Sequence, residues 1–309
     1  MPTYSTEFAE SLIPGIYEYW DVGAGMIDSK IPQIFNVRST TRAWEEVVAV
    51  GGYDPSSFTQ YRDTGRVGQL DNRKGYTKRF TPDEYTADIV IERKLVDDGG
   101  LTEMAFSPAE EAGTTFARLK ELMAADLFNN AHAAGDYVLP DGKALLANDH
   151  PLGPSNAGAT HDNLDVGSLT KARLRAARQK MMRFVDDRGQ IDPSIGRMIL
   201  VPPELAETAM QLAMSRVEVG APNDAQSPDA MMNYQVVVWP YLTDTSTSGQ
   251  RWFLIDPVKG RRVALFLNRV MPQIRFEPSK SNQVQLVYSA YARFDLGFAD
   301  WRWIYGSST

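Results

Sequence analysis

The stretch SPAEEAGTTFARLKELMAADLFNNAHAAG, residues 107–135, constrains the fold more than any other. Ser107, Pro108 and Glu110 have the order of a capping box with proline at the first helical position, where its missing N–H removes no hydrogen bond. Phe116, Leu119, Met123 and Leu127 then repeat at i, i+3, i+7 and i+11, an apolar stripe down one face. Gly135 supplies a C-terminal cap. The pattern predicts one helix from Pro108 to Ala134, about 40 Å long at about 1.5 Å per residue. Most globular helices are far shorter, so this one reads as a strut around which other segments are arranged.

The segments before it are poor folding units alone. Ile13, Ile16, Tyr17 and Trp20 have helical spacing, but Pro14 and Gly15 interrupt them. A short interrupted amphipathic piece must pack on its own domain or on a neighbouring subunit. Residues 35–96 alternate β-branched and aromatic positions on either side of the polar, glycine-dotted DPSSFTQYRDTGRVGQLDNRKG, which predicts two strands joined by a long tip. Such an extended hairpin has little apolar surface of its own and also calls for a partner.

Composition removes several function classes. The 309 residues contain no cysteine, which excludes disulfides, thiolate zinc sites and cysteine nucleophiles. No apolar run approaches the roughly 20 residues needed to span a bilayer, and the N-terminus has no basic region followed by an apolar one. A net charge of −7 disfavours a free-standing nucleic-acid-binding domain, whose affinity comes largely from neutralising phosphates. The 23 glycines and 18 prolines are spread along the chain, so no single linker divides it.

Chemistry-bearing residues concentrate in NDHPLGPSNAGATHDN, residues 148–163, where Asp149 precedes His150 and His161 precedes Asp162. A zinc site needs three or four ligands, two of them usually close in sequence. Here the histidines are eleven residues apart across Pro151 and Pro154, with no H-E-x-x-H pattern, and His132 is a third ligand only if the fold brings it near. Asp and Asn are also the expected turn residues of such a stretch. It reads as a polar loop, with no catalytic, cofactor-binding or metal-binding residue expected.

Other signals are equally weak. VGAGM at 22–26 completes neither a P-loop nor a G-x-G-x-x-G, and VDDRGQID lacks the register of a calcium loop. The basic helix predicted over 169–186 turns Leu174, Ala177, Met181 and Phe184 inward, and its Lys and Arg form a solvated or salt-bridging face rather than a nucleic-acid surface. Trp301, Trp303 and Tyr305 alternate in ADWRWIYG as in a buried strand, the simpler alternative to base stacking.

The order of these parts resembles the major capsid proteins of tailed bacteriophages, which have the Hong Kong 97-like fold, and most of all the Mu-like major head subunit family. The residues carrying the resemblance are LLANDHPLG, DNLDVGSLTKARLRAARQKMMRFVDDRGQIDPSIGRMILVPPELAETA, VVVWPYLTDT, RWFLIDP and FDLGFADWRWIYGSS. They fall within residues 145–309, whereas the N-terminal half is similar in layout more than in letters.

The resemblance implies an α+β fold with an N-terminal arm (1–34), an E-loop hairpin (35–92), a peripheral domain (93–135 with 263–309, its spine helix 107–135) and an axial domain (136–262). It implies a shell subunit that forms pentamers and hexamers of itself. The icosahedral shell would enclose double-stranded DNA without sequence-specific binding, with portal, scaffolding or decoration proteins as partners and no membrane. Assembly would take place in the host bacterial cytoplasm and the product would be the virion capsid. Because Met1 opens directly on the arm, no preceding scaffolding domain is expected. Lys74 and Lys78 are available for covalent cross-linking, though nothing marks an asparagine partner.

Three other readings stay open at this level. An encapsulin-type compartment would have the same fold and hold a cargo enzyme. A metal-dependent hydrolase would use Asp149, His150, His161 and His132. A tail-tube subunit fits poorly with a long helix.

Overall fold

The N-terminal segment finds its core within its own chain. In the computed structural model, which describes residues 6–50, 57–58, 67–70, 74–92, 94–96, 103–133, 135, 137–154, 158–214, 233–243, 251–282 and 284–307, the first elements are helices α1 (Thr6–Ser11), α2 (Ile13–Gly25) and α3 (Ile31–Ile34). Pro14 does not break α2 but lies in its first turn, where proline is tolerated. Ile16, Trp20 and Gly23 turn inward. Strands β1 (Asn36–Ser39), β2 (Glu45–Val50), β3 (Lys74–Phe80) and β4 (Asp83–Glu92) follow, and then the long helix α4 (Glu103–Asn129).

Helix α4 has the expected length but not the expected bounds of 107–135. It starts before Ser107, leaving Pro108 inside the helix and no capping box at Ser107 and Glu110. The cause is tertiary. Phe106 is buried and stacks on Tyr19 of α2 with ring centroids 5.2 Å apart, so packing extends the helix back through the proline. The other end stops short of Gly135. The Asn129 amide donates to the Tyr241 carbonyl (3.1 Å) and accepts from Thr243 N (3.0 Å) and Arg251 Nη1 (3.1 Å). Those bonds hold the last helical residue against a distant loop, and Gly135 lies beyond them.

Helices α2 and α4 touch backbone to backbone. A Cβ built on Gly23 would stand 1.9 Å from the Glu110 carbonyl oxygen, and one on Gly113 would stand 2.2 Å from that of Trp20. The Thr114 hydroxyl donates to the Gly23 carbonyl at 3.0 Å.

Beyond α4 lie short strands β5 (His150–Pro151), β6 (Thr160–His161) and β7 (Leu164–Asp165), helix α5 (Lys171–Met181), strand β8 (Met198–Val201) and helix α6 (Ala206–Met214). Strands β9 (Gln235–Val238) and β10 (Trp252–Ile255), helix α7 (Pro257–Val263) and strands β11 (Ala264–Phe276), β12 (Gln285–Phe298) and β13 (Ile304–Ser307) complete the order. One sheet runs β1-β11-β12-β4, with β1 parallel to β11 and the other pairs antiparallel. Its long hairpin β11–β12 is bulged between Val270 and Gln273, which accommodates Pro272.

The second sheet runs β7-β13-β10-β8-β9. Strands β8, β10 and β13 are buried at every position, which explains the unbroken apolar letters of the first two. Strand β13, from the last residues described, pairs antiparallel with β10 inside this sheet. Phe128 joins the lobes. It packs edge-on against Phe35, Trp239, Phe253 and Phe298, with centroids 5.2 to 6.1 Å apart.

Candidate functional site

The histidine loop is fixed by residues the sequence did not single out. His150 and His161 are cross-strand partners in the two-residue ladder β5–β6. Their neighbouring aspartates diverge, since Asp149 pairs with Lys143 and Asp162 with Lys180 at 2.9 Å. The carboxylate that meets His150 is Asp141, nine residues upstream, with Oδ2 2.7 Å from Nδ1. The fully buried His150 ring stacks on Trp301 at a centroid distance of 4.7 Å and an angle of 13°. His161 lies 5.9 Å from the Phe184 ring and 6.1 Å from Trp301.

The electrostatics match a packing role. Burial holds His161 below the ordinary histidine range, with Arg302 and Lys180 adding to the shift and Asp162 opposing it. His132 is lowered by burial and by Arg251, its own neighbourhood being the far end of α4. Among the described residues no group of three or more His, Asp and Glu could hold a metal ion. The ladder brings His150 and His161 together, while Asp149 turns to Lys143 and His132 lies in the field of Arg251.

Arg302 bolts this loop to the C-terminal segment. Its Nε donates to the Val185 carbonyl (3.0 Å), its Nη1 to both Asp300 oxygens (3.2 and 3.1 Å), and its Nη2 to Asp187 Oδ1 (2.6 Å) and the Leu152 carbonyl. Burial raises Asp187 above the ordinary carboxylate range, and the nearby Arg302 opposes that shift. Burial alone would lower Arg302, but Asp300 and Asp187 hold the guanidinium above its ordinary value. Asn163, wholly buried, completes the join. Its Oδ1 accepts from Ala147 N (2.9 Å), and its Nδ2 donates to the carbonyls of Leu145 (2.8 Å) and Ile304 (3.4 Å).

The basic helix is spent within the chain. Leu174, Ala177, Met181 and Phe184 are buried as predicted. Arg173 pairs with Asp165 at 2.5 Å, Lys180 reaches Asp162 and the Tyr305 hydroxyl (3.1 Å), and Arg178 donates to the Tyr234 hydroxyl at 3.0 Å. Trp301, Trp303 and Tyr305 are buried, so this segment is core and not a stacking platform, but the expected strand begins only at Ile304, and the two tryptophans lie in the turn before it.

Apolar surface is left uncovered elsewhere on the chain. Strands β2 and β3 form a two-stranded ladder of their own, from Glu45↔Phe80 through Val50↔Lys74, anchored at its base where buried Phe80 packs on Leu265 and Leu267 of β11. Trp44 is exposed under the Arg79 guanidinium at 4.4 Å, Val48 is exposed on β2, and Phe58 and Val67 beyond it are 75% and 79% exposed. Between α4 and the β4–β12 face lies an open apolar groove of about 510 Å³, lined by Trp20, Tyr85, Ile89, Phe116, Leu119 and Tyr291. Projecting apolar side chains and an open apolar groove on one chain are docking features.

Residues 75–307 match the family described as phage capsid protein. No curated protein sequence matches the chain. Among solved structures, a virus-like particle from Pyrococcus furiosus superposes with a TM-score of 0.57 at 8% identity, over 95% of this chain and 98% of that one. The mature capsid of bacteriophage PhiM1 gives 0.55 at 13% identity over 91% and 87%. A holo encapsulin complex from Synechococcus elongatus gives 0.52 at 10% identity over 90% and 85%. At these identities the likeness is one of fold.

Proposed function

The chain belongs to the phage capsid protein family and has the Hong Kong 97-like capsid fold, and from that premise we propose that it tiles the head of a tailed phage as pentamers and hexamers of itself. The observation that carries the proposal is the family match over residues 75–307, which spans the long helix, the whole five-stranded sheet and strands β4, β11 and β12 of the other. In this reading the shell encloses double-stranded DNA without reading its sequence, and the net charge of −7 keeps packaged DNA from adhering to the wall. Assembly belongs in the host bacterial cytoplasm, with portal, scaffolding or decoration proteins as further partners. The Mu-like major head subunits are the branch to which we assign it, on the motif order from LLANDHPLG to FDLGFADWRWIYGSS.

The physical logic is incomplete burial. We assign β2–β3 and residues between them to an E-loop, the sheet β1-β11-β12-β4 with α4 to a peripheral domain, and the five-stranded sheet to an axial domain. A two-stranded hairpin is marginal alone, so its exposed Trp44 and Val48 gain cover from a neighbouring subunit. The loop holding His150 and His161 is a structural part of the axial domain, with no catalytic duty.

Electron microscopy and sedimentation of the chain expressed alone test this. Closed shells, pentamers or hexamers are the expected species. A chain that stays monomeric at all concentrations, with and without the other head proteins, would refute it. The encapsulin reading is favoured by one observation, the structural likeness to the Synechococcus complex. Particle contents separate the two, since DNA from a packaging reaction supports the phage head and a co-purifying enzyme the compartment.

A further inference from the structure

The long sheet carries opposite, unanswered charges at its two ends. Strand β1 lies along Leu265–Asn268 of β11, and the Asn36 amide donates to the Arg261 carbonyl at 2.7 Å, which places α7 beside it. Arg38 stands opposite Leu267 and thus one step from Arg269, while Thr40 N bonds the Asn268 carbonyl at 2.9 Å and carries Arg42 onward along the same edge. Arg261 and Arg262 close the near end of this stripe. All five arginines are exposed or half-exposed, and none has an ion-pair partner among the described residues. Of the acids nearest in sequence, Glu46 stands opposite Arg79 in the hairpin register and Asp256 caps α7.

The far end is acidic. There α1 and α2 pack on the tip of β11–β12, with the Tyr17 hydroxyl accepting from Ile274 N at 2.6 Å and the Tyr288 hydroxyl donating to the Ala9 carbonyl at 2.9 Å. With Ile16, Trp20 and Gly23 turned inward, Glu18 and Asp21 are exposed on the outer face of α2, and Glu7 and Glu10 are exposed on α1. Each pair is three residues apart and so shares a helix face. None of the four has an ion-pair partner among the described residues. Arg275, exposed at this end, is outnumbered, and Lys280 is committed to Asp88. From Leu265 to Ile274 the two ends are about 30 Å apart at about 3.3 Å per residue.

We propose that these ends meet between copies, the arginine edge along β1 of one subunit docking on the acidic α1–α2 face of the next. The inference rests on the shell-subunit reading and adds to it which surfaces join neighbours within a capsomer. A contact between two different patches is head-to-tail, and head-to-tail contacts close into rings when the rotation allows. A second copy answers the arginine edge better than nucleic acid does. The matching anionic face is already on this chain, and the chain as a whole is acidic. Complementary patches also steer encounter and reject wrong pairings.

Two exposed-surface variants test it alongside the wild type, with thermal melting to verify that both fold. One carries Arg38→Glu and Arg269→Glu, the other Glu18→Lys and Asp21→Lys. Each alone is expected to sediment as a monomer where the wild type forms capsomers. Their mixture is expected to regain hexamers but no pentamers, because two variants that pair only with each other must alternate, and alternation needs an even ring. Variants that each assemble like the wild type overturn the inference and leave the shell reading standing. So does a mixture that stays monomeric, or an arginine variant that assembles normally and only retains less DNA. A wild type that itself never assembles overturns the shell reading, and the inference falls with it.

Discussion

Replacing Asn163 with leucine isolates the cost of the join that fixes the histidine loop. Leucine nearly preserves volume, so no large cavity opens and the loss is polar. The buried Leu145 carbonyl and the half-buried Ala147 N–H lose partners at 2.8 and 2.9 Å, and the buried Ile304 carbonyl loses a weaker one at 3.4 Å. A buried group left unmade costs about 1–3 kcal/mol. The Leu145 carbonyl at that full cost, with smaller additions from the half-buried Ala147 N–H and the long Ile304 bond, gives about 2–4 kcal/mol, a large share of the roughly 5–15 kcal/mol that holds a typical domain folded. Guanidinium unfolding of the unassembled chain, followed by tryptophan fluorescence, reads this directly because Trp301, Trp303, Trp252 and Trp239 are all buried nearby or in the same core. Asp149→Ala is the contrasting variant, since its partner Lys143 and Asp149 itself are 38% and 50% exposed and the pair contributes at most about 1 kcal/mol. If Asn163→Leu cost less than Asp149→Ala, the assignment of this loop to structure would be wrong.

Three further outcomes are expected. Gly23→Ala drives a methyl into the Glu110 carbonyl and should release α2 from α4, read as protease cleavage near Met26, whereas Gly25→Ala meets nothing within 4 Å and should be neutral or stabilising by up to about 1 kcal/mol. Glu121→Leu removes a buried carboxylate that accepts from Trp239 Nε1 (2.8 Å), Ser29 Oγ (2.5 Å) and Lys30 N (3.3 Å), and should cost about 3 kcal/mol or more in chemical unfolding. For His161 the folded state resists protonation while the unfolded state takes the proton at the ordinary histidine value. Stability from this group is therefore complete above about pH 6.5 and is lost as pH falls below it, so the melting temperature of His161→Gln should vary less than that of wild type between about pH 7 and about pH 5.5.

What was legible in the letters was local or periodic. The inward face of α5 followed from the spacing of Leu174, Ala177 and Met181, because side chains three or four apart share a helix face whatever packs on them, whereas Phe184 is buried from the turn beyond the helix end. The apolar runs of β8 and β10 predicted buried strands for the same kind of reason. Asp256 and Pro257 spell a helix start that was there to be read. The Asp256 carboxylate accepts from Val258 N (2.9 Å) and Lys259 N (3.2 Å), as an N-cap does. The candidate chemistry of the histidine loop was weak for a local reason too, since adjacent Asp and His side chains diverge when the backbone is extended.

The sequence by itself determined the class of the chain, namely a long helix, a projecting hairpin and buried strands, acidic overall and without thiol chemistry. Tertiary structure alone decided where α4 begins and ends, because stacking of Phe106 on Tyr19 outweighs a proline and the Asn129 amide is held by a loop more than a hundred residues away. It alone decided that Asp141 rather than Asp149 meets His150, and that Arg302, Asn163 and Glu121 serve as internal ties. A periodic pattern reports which face of an element is buried. It carries no record of which distant element comes to lie against that face, and buried polar groups draw their partners from there.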